Sequence, residues 1–312
     1  MSLAFVFPGQ GSQSVGMGQE LFEAFPAARD VFAEVDDALG QHLSKVMFNG
    51  PLADLTLTAN TQPALMALSM AVMRVLERDF DIPVTAASHV AGHSLGEYSA
   101  LCAAGSLSLA DAARLLKTRG EAMQQAVPVG EGAMAALLGA SLEDAQALCD
   151  AVDGTAEVAN DNADGQVVIS GGKAAIEEAA GMARDRGIRK AVLLPVSAPF
   201  HSSLMRPAAD AMRDALAEVE LKAPAVPLVN NIRAEAVTDP DTIRADLVEQ
   251  VTGRVRWRES VLWMAGHGVE ALAEPGAGKV LTQMTRRIAR DLAATALNTP
   301  ADLEAFAEDL GG

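Results

Sequence analysis

Cysteine is nearly absent: the 312 residues hold two, Cys102 and Cys149. Two thiols cannot build a disulfide framework and stand at no metal-ligand spacing, so a stapled scaffold is excluded, no cysteine metal site is expected, and the usage fits a reducing compartment. Basic residues are also in short supply. Twenty-four Lys and Arg against 41 Asp and Glu leave a net charge of −17 and a pI of about 4.6. That balance repels phosphate backbones, which argues against a nucleic-acid partner; an acidic partner would need a local basic patch. No basic segment precedes the first apolar run, which Pro8 and Gly9 end early, so no signal peptide is expected. The longest apolar helix, residues 63–76, is interrupted by Ser69 and Arg74 and is too short for a bilayer. No membrane association and a cytoplasmic location are therefore expected. Internal repeats and low-complexity tails are lacking too. What is abundant is apolar sequence, 50% of the chain, enough for one large α/β domain with a smaller one inserted.

The pattern along the chain supports that division. An unbroken apolar run at 3–7 reads as a strand buried on both faces. Helical periodicity follows at 27–39, at 61–80 with Pro63 in its first turn, and at 108–126. From 132 the order changes to strand 133–139, helix 141–151, strands 157–160 and 166–170, helix 173–186 and strand 190–194. This βαββαβ series is the ferredoxin-like split pattern. Beyond it, a helix near 200 is interrupted by Pro207. Strands at 227–230, 269–273 and 293–297 then alternate with helices at 242–251, 257–267, 278–290 and from 300. Strands alternating with helices indicate a mostly parallel sheet covered on both faces. The expected fold class is α/β, with an α/β-hydrolase-like large domain (residues 1–127 and 199–312) and an inserted small ferredoxin-like domain (128–198).

Two glycine-rich loops invite a nucleotide-binding reading, and both fail it. After the first strand, Pro8-Gly9-Gln10-Gly11-Ser12-Gln13 lacks the third glycine of a dinucleotide fingerprint, since Ser14 stands there. Around Lys279 a phosphate loop would need glycine at Ala273 and Ser or Thr at Val280. The first loop is either a plain tight turn or one whose free N–H groups face an anion.

The stretch Gly92-His93-Ser94-Leu95-Gly96 is more informative. A short apolar run precedes it and a helix-forming segment follows, so strand, sharp turn and helix flank a serine. The glycines permit the close approaches that such an elbow needs, and the next helix points free N–H groups at the place where an oxyanion would form. Ser94 is the candidate nucleophile. Of the five histidines, His42 and His267 lie in polar surroundings and are expected to be exposed, and His89 has no evident partner. His93 is expected to turn away from the serine as a packing residue. His201 follows Pro199 in a loop beyond a strand, the kind of position that carries catalysis in α/β sheets, and is the candidate base. No acidic residue between them stands out as a third member. Arg119, near a helix end, is on pattern alone a solvated or dipole-compensating side chain.

Over nearly its full length the sequence resembles the malonyl-CoA:acyl carrier protein transacylases of fatty acid synthesis and the related polyketide acyltransferase domains. The likeness rests on FPGQGSQ (7–13), NTQPAL (60–65), GHSLGEYSA (92–100), Arg119-Gly120, QVVISG (166–171), PFHSSLM (199–205) and Gln250. One departure is Pro275-Gly276-Ala277-Gly278, where the family often has Gly-Pro-Gly before the lysine.

The resemblance implies roles. Ser94 would take the acyl group, and His201 would be base and then acid, oriented by a backbone carbonyl at Gln250. The N–H groups of Gln10 and Leu95 would form the oxyanion hole, and Arg119 would hold the malonyl carboxylate. Leu95 and Phe200 are the malonyl-type choices, with Asn160 and Asn162 as candidates for the cleft wall. Malonyl-CoA would be the substrate, no cofactor would be permanently bound, and the partner would be an acidic, phosphopantetheinylated acyl carrier protein. Arg189, Lys190, Arg286 and Arg287 are either its docking patch or solvated charges. A hydrolase that edits acyl carrier proteins with the same serine and histidine is the alternative.

Overall fold

The computed structural model describes residues 2–196 and 198–311. Its strands, in chain order, are β1 (Leu3–Phe7), β2 (His89–Gly92), β3 (Gly132–Leu138), β4 (Ala156–Ala163), β5 (Gln166–Gly172), β6 (Lys190–Leu193), β7 (Leu228–Val229), β8 (Ala236–Val237), β9 (Ala271–Pro275) and β10 (Ala293–Leu297). They form two sheets. The larger runs β10-β9-β1-β2-β7-β8, parallel except for the β7–β8 pair. The smaller runs β4-β5-β3-β6 and is antiparallel throughout.

β1 lies at the centre of the larger sheet with all five residues buried, as an apolar run without alternation requires. Its side chains divide between two cores: Leu3, Phe5 and Phe7 face one helical layer, while Ala4 and Val6 face the layer containing Trp257 and Val261. The smaller sheet alternates instead. Ala135, Leu137, Val167 and Ile169 pack under the helices Leu142–Cys149 and Lys173–Met182. Met134 and Val168, on its opposite face, join the core of the larger unit.

Two features bring functional segments together. The helices Thr58–Asp79 and Leu109–Gln125 approach to backbone contact at Gly120, where an added Cβ would stand 2.6 Å from the Cα of Ala59. Only glycine allows that approach, and Arg119 next to it is buried. The other feature is a strap, residues 251–256, that joins the sheets. Val255 donates to the Ala159 carbonyl and accepts from the Asp161 N–H, a parallel bridge beside β4. The buried Asp161 carboxylate holds Arg258 in a fork at 2.8–3.1 Å.

The structure departs from the sequence expectations in several places. Pro63 lies in the second turn of its helix, because the helix begins at Thr58. Pro207 opens the helix Arg206–Ala217 and does not interrupt one, since a missing N–H is tolerated in a first turn. The helix expected at 278–290 is Val280–Ile288, its start fixed by the Glu274 carboxylate, which accepts the N–H groups of Leu281 and Thr282. The strand expected at 269–273 is shifted to β9, in register with β1 from Leu3. The short helices Gln19–Ala24, Leu43–Asn49 and Leu52–Thr56 were not expected; each is too short to show periodicity. Among the described residues, no helix is long and apolar enough to cross a membrane.

Removing one partner of the Asp161–Arg258 pair leaves the other desolvated. Asp161→Ala is expected to cost about 2–3 kcal/mol in urea unfolding, less than for a fully buried pair, because Arg258 keeps 27% of its side-chain surface in water.

Candidate active site

β2 ends at Gly92 and the helix Gly96–Ala103 begins four residues later, so Ser94 sits at the apex with φ of +54°. A Cβ on Gly92 would lie 1.9 Å from the carbonyl carbon of Gly96, and one on Gly96 would lie 2.2 Å from the Phe7 oxygen. The elbow is thus pressed against itself and against the end of β1, which leaves no room for a side chain at either position. A second loop holds it in place. The Ser94 N–H donates to Asn231 Oδ1 at 2.8 Å, and Asn231 Nδ2 donates to the Gly92 carbonyl at 2.7 Å.

His201 also has a left-handed backbone, φ +57°, and is 4% exposed. Its Nε2 lies 2.8 Å from Ser94 Oγ. Its Nδ1 lies 2.9 Å from the Gln250 carbonyl and 3.2 Å from that of Gly253. Carbonyl oxygens only accept, so Nδ1 carries the hydrogen and Nε2 is the free acceptor for the serine hydroxyl. Burial, then the nearby Arg119 cation, push the imidazole pKa down to about 3 against the raising effect of the two carbonyls. The ring is therefore neutral, the form a base needs.

Arg119, 1% exposed, completes the group. Its guanidinium donates to Gln62 Oε1 and Gln250 Oε1, each at 2.8 Å, and to Ser94 Oγ at 3.1 Å. All three acceptors are uncharged, so a buried cation lies beside the nucleophile with no carboxylate among these partners. The cavity above has a volume of about 180 Å³. Gln10, Leu95, Phe200, Asn160 and Asn162 all line it together with Ser94, His201 and Arg119. The backbone N–H groups of Gln10 and Leu95 give no hydrogen bond to another described residue. Gln250 lies behind the cavity, with its side chain on Arg119 and its carbonyl on His201.

One expectation is corrected. His93 does not turn away from the serine: it lines the same cavity, with Nε2 2.8 Å from Asn162 Oδ1 and its ring 5.8 Å from that of Trp257. The hydrogen bond to Asn162 and the packing on Trp257 hold the ring on the cavity side. His42 and His267 are exposed, and His89 contacts Ser88 and the edge of Trp263. Arg189, Lys190, Arg286 and Arg287 are exposed and do not line the cavity. Arg287 bridges to Gln166 and to the Asp164 carbonyl. Among the described residues there is no cluster of three or more His, Cys, Asp or Glu able to hold a metal ion.

Sequence reasoning missed Gln62, Glu97 and Asn231. Gln62 and Glu97 lie inside motifs already singled out, and Glu97 is three residues after the nucleophile. Asn231 stands just beyond β7, at the carboxyl end of a parallel strand, where polar residues are functional candidates.

A nucleophilic serine at an elbow, a neutral imidazole and unpaired N–H groups make this a site for acyl transfer through a serine ester. Comparison with known proteins agrees. The acyl transferase domain model matches residues 4–299. The malonyl CoA-acyl carrier protein transacylase of Escherichia coli (strain K12) is 46% identical over 309 residues, 98% of each chain. Among solved structures, the acyl-carrier-protein-S-malonyltransferase of Bartonella henselae is 54% identical with a TM-score of 0.96 over all of both chains. A malonyl-transacylase in complex with its type II PKS acyl-carrier protein is 41% identical, TM-score 0.96, covering 99% of this chain and 100% of that one. The chain belongs to the malonyl CoA-acyl carrier protein transacylase family.

The lowered His201 pKa has a consequence for pH. A base is active while deprotonated, so a pKa lowered to about 3 extends activity to the acid side. Labelling of Ser94 by a neutral fluorophosphonate is expected to stay level from pH 8 down to about 5, whereas an ordinary imidazole would lose tenfold per unit below about 6.5.

Proposed function

We propose that the protein moves a malonyl group from malonyl-CoA to the phosphopantetheine thiol of an acyl carrier protein, through a malonyl ester of Ser94. The carrying observation is the buried Arg119 guanidinium 3.1 Å from the nucleophile, with only neutral acceptors around it. A substrate carboxylate would supply the missing charge in two parallel hydrogen bonds. An acetyl group would leave the cation unpaired, and a hydrolase of mixed acyl chains would have no use for it.

In the first half-reaction, Ser94 Oγ attacks the thioester carbonyl while its proton passes to His201 Nε2. The carbonyl oxygen becomes an oxyanion, and the N–H groups of Gln10 and Leu95 are free to receive it. Collapse breaks the carbon–sulfur bond, His201 returns the proton to the departing coenzyme A sulfur, and the malonyl ester remains. In the second, the carrier thiol gives its proton to His201 and its sulfur attacks the ester. The carbon–oxygen bond breaks and Ser94 recovers the proton. Every bond and proton is handled by these groups, so the cycle calls for no bound cofactor. The two half-reactions are joined by one covalent malonyl ester, which is the reason a ping-pong order is expected.

The larger sheet is read as α/β-hydrolase-like and the smaller as a ferredoxin-like insertion at 128–198, returning to the large domain at 199. Their cleft would admit the phosphopantetheine arm. For the acidic carrier we propose a landing on Arg189, Lys190, Arg286 and Arg287, carried on β6 and the helix Val280–Ile288. Residues next to these elements or within them, Leu194, Val196 and Met284, line the cavity, and the four cations are exposed in a chain of net charge −17. A cytoplasmic location fits these substrates.

Mass spectrometry after exposure to malonyl-CoA is the direct test. The native chain is expected to gain one malonyl group, Ser94→Ala none, and Arg119→Ala to be acylated at least about a hundredfold more slowly, the effect of losing a charge-assisted pair of about 3 kcal/mol. No adduct on the native chain would refute the proposal. Arg287→Glu is expected to raise KM for carrier protein severalfold and leave KM for malonyl-CoA unchanged; equal effects would remove the docking patch.

A further inference from the structure

We propose that Glu97 is a positioning residue for substrate selection: its buried carboxyl group fixes which way the Gln250 side-chain amide faces, and through that amide aims the Arg119 guanidinium. This rests on the malonyl-transfer reading above.

Glu97 lies in the first turn of the helix Gly96–Ala103 and is 1% exposed. Its two oxygens reach different loops. Oε1 accepts the backbone N–H of Asn231, and Oε2 accepts Gln250 Nε2 at 2.5 Å. Gln250 Nε2 also donates to the Ser94 carbonyl, at 3.0 Å. With both amide hydrogens drawn to that side, the one acceptor of the amide, Oε1, is left facing Arg119 Nη2 at 2.8 Å. The reverse orientation would set an NH₂ against a guanidinium, donor against donor. Glu97 therefore decides, one residue removed, whether Arg119 has its partner.

The same carboxyl steadies the nucleophile through a second route. Asn231, held by its backbone on Glu97, receives the Ser94 N–H on its side chain. The charged and titratable groups that face Glu97 are Arg119 from the helix Leu109–Gln125, Asp246 from the helix Pro240–Gln250, and Tyr98 beside it. Asp246 is itself engaged by Arg233. Burial pushes the Glu97 pKa up to about 8 despite its two hydrogen bonds.

Glu97→Gln separates these roles. It keeps size but offers one acceptor oxygen where the native residue offers two. The Asn231 backbone N–H cannot turn away, so the new amide oxygen stays with it. The new NH₂ then meets Gln250 Nε2 and drives that amide over. The experiment compares the full-length native chain, Glu97→Gln, Gln250→Ala and the double variant, with malonyl-CoA, acetyl-CoA and a neutral fluorophosphonate, which does not use Arg119. Expected for Glu97→Gln is a fall in kcat/KM for malonyl-CoA on the order of ten- to a hundredfold, with acetyl-CoA and fluorophosphonate rates changed less than about threefold. The double variant should match Gln250→Ala alone, because residues acting through one contact are not additive. An unchanged malonyl rate, equal losses with all three reagents, or additive losses in the double variant would each overturn the proposal. If Glu97→Gln does not fold, Gln250→Ala alone, which removes the amide that Glu97 orients and keeps the Gln250 carbonyl, is expected to give the same split, and equal losses with all three reagents would overturn the proposal. Failure of the native chain to take malonyl-CoA would count against the transfer reading; a native chain that reacts beside an unaffected variant would count against Glu97 alone.

Discussion

One hydrogen bond, from Ser94 to His201 across 107 residues of sequence, is what the rest of the molecule is arranged to hold. Neither residue is relaxed: both have positive φ, a backbone region that side-chain-bearing residues avoid unless the surroundings impose it. For Ser94 the imposing surroundings are the end of β1, the glycine contacts and the Asn231 side chain. For His201 they are two carbonyls on the far side of the imidazole.

Those carbonyls explain why the site manages without an acidic third member. A carboxylate behind the imidazole would fix the same tautomer, but it would also raise the pKa of the ring and place a negative charge near Arg119. Carbonyl dipoles orient the ring without a net charge. The cation therefore stays unneutralised, keeps His201 deprotonated, and remains available to an incoming carboxylate. Glu97, the nearby carboxyl group whose pKa burial raises to about 8, reaches Arg119 only through Gln250 and does not contact the cation directly.

Much of this was legible in the sequence because it depends on local pattern. Strand β1, the elbow at Ser94 and the βαββαβ order of the smaller sheet all follow from apolar periodicity and glycine placement. The histidine could be narrowed to His201 by loop position. What sequence could not show was convergence. Gln62, Asn231 and Gln250 come from three separate segments, and each is an ordinary polar residue until the chain folds. Arg119 is the sharpest case: on a helix pattern it reads as solvated, and only the folded chain brings Gln62, Gln250 and Ser94 around its guanidinium. His93 was misjudged for a related reason, since Asn162 and Trp257, which hold its ring, lie outside any local window.

The strap that follows Gln250 carries the Gly253 carbonyl and, two residues on, Val255, which is bridged to β4 of the smaller sheet. The smaller sheet is thus not a detachable ornament on a self-sufficient catalytic body. Its edge strand anchors the segment that orients the imidazole, so a chimera exchanging this unit between relatives has its natural seams outside residues 250–258, with the strap travelling together with the sheet it grips.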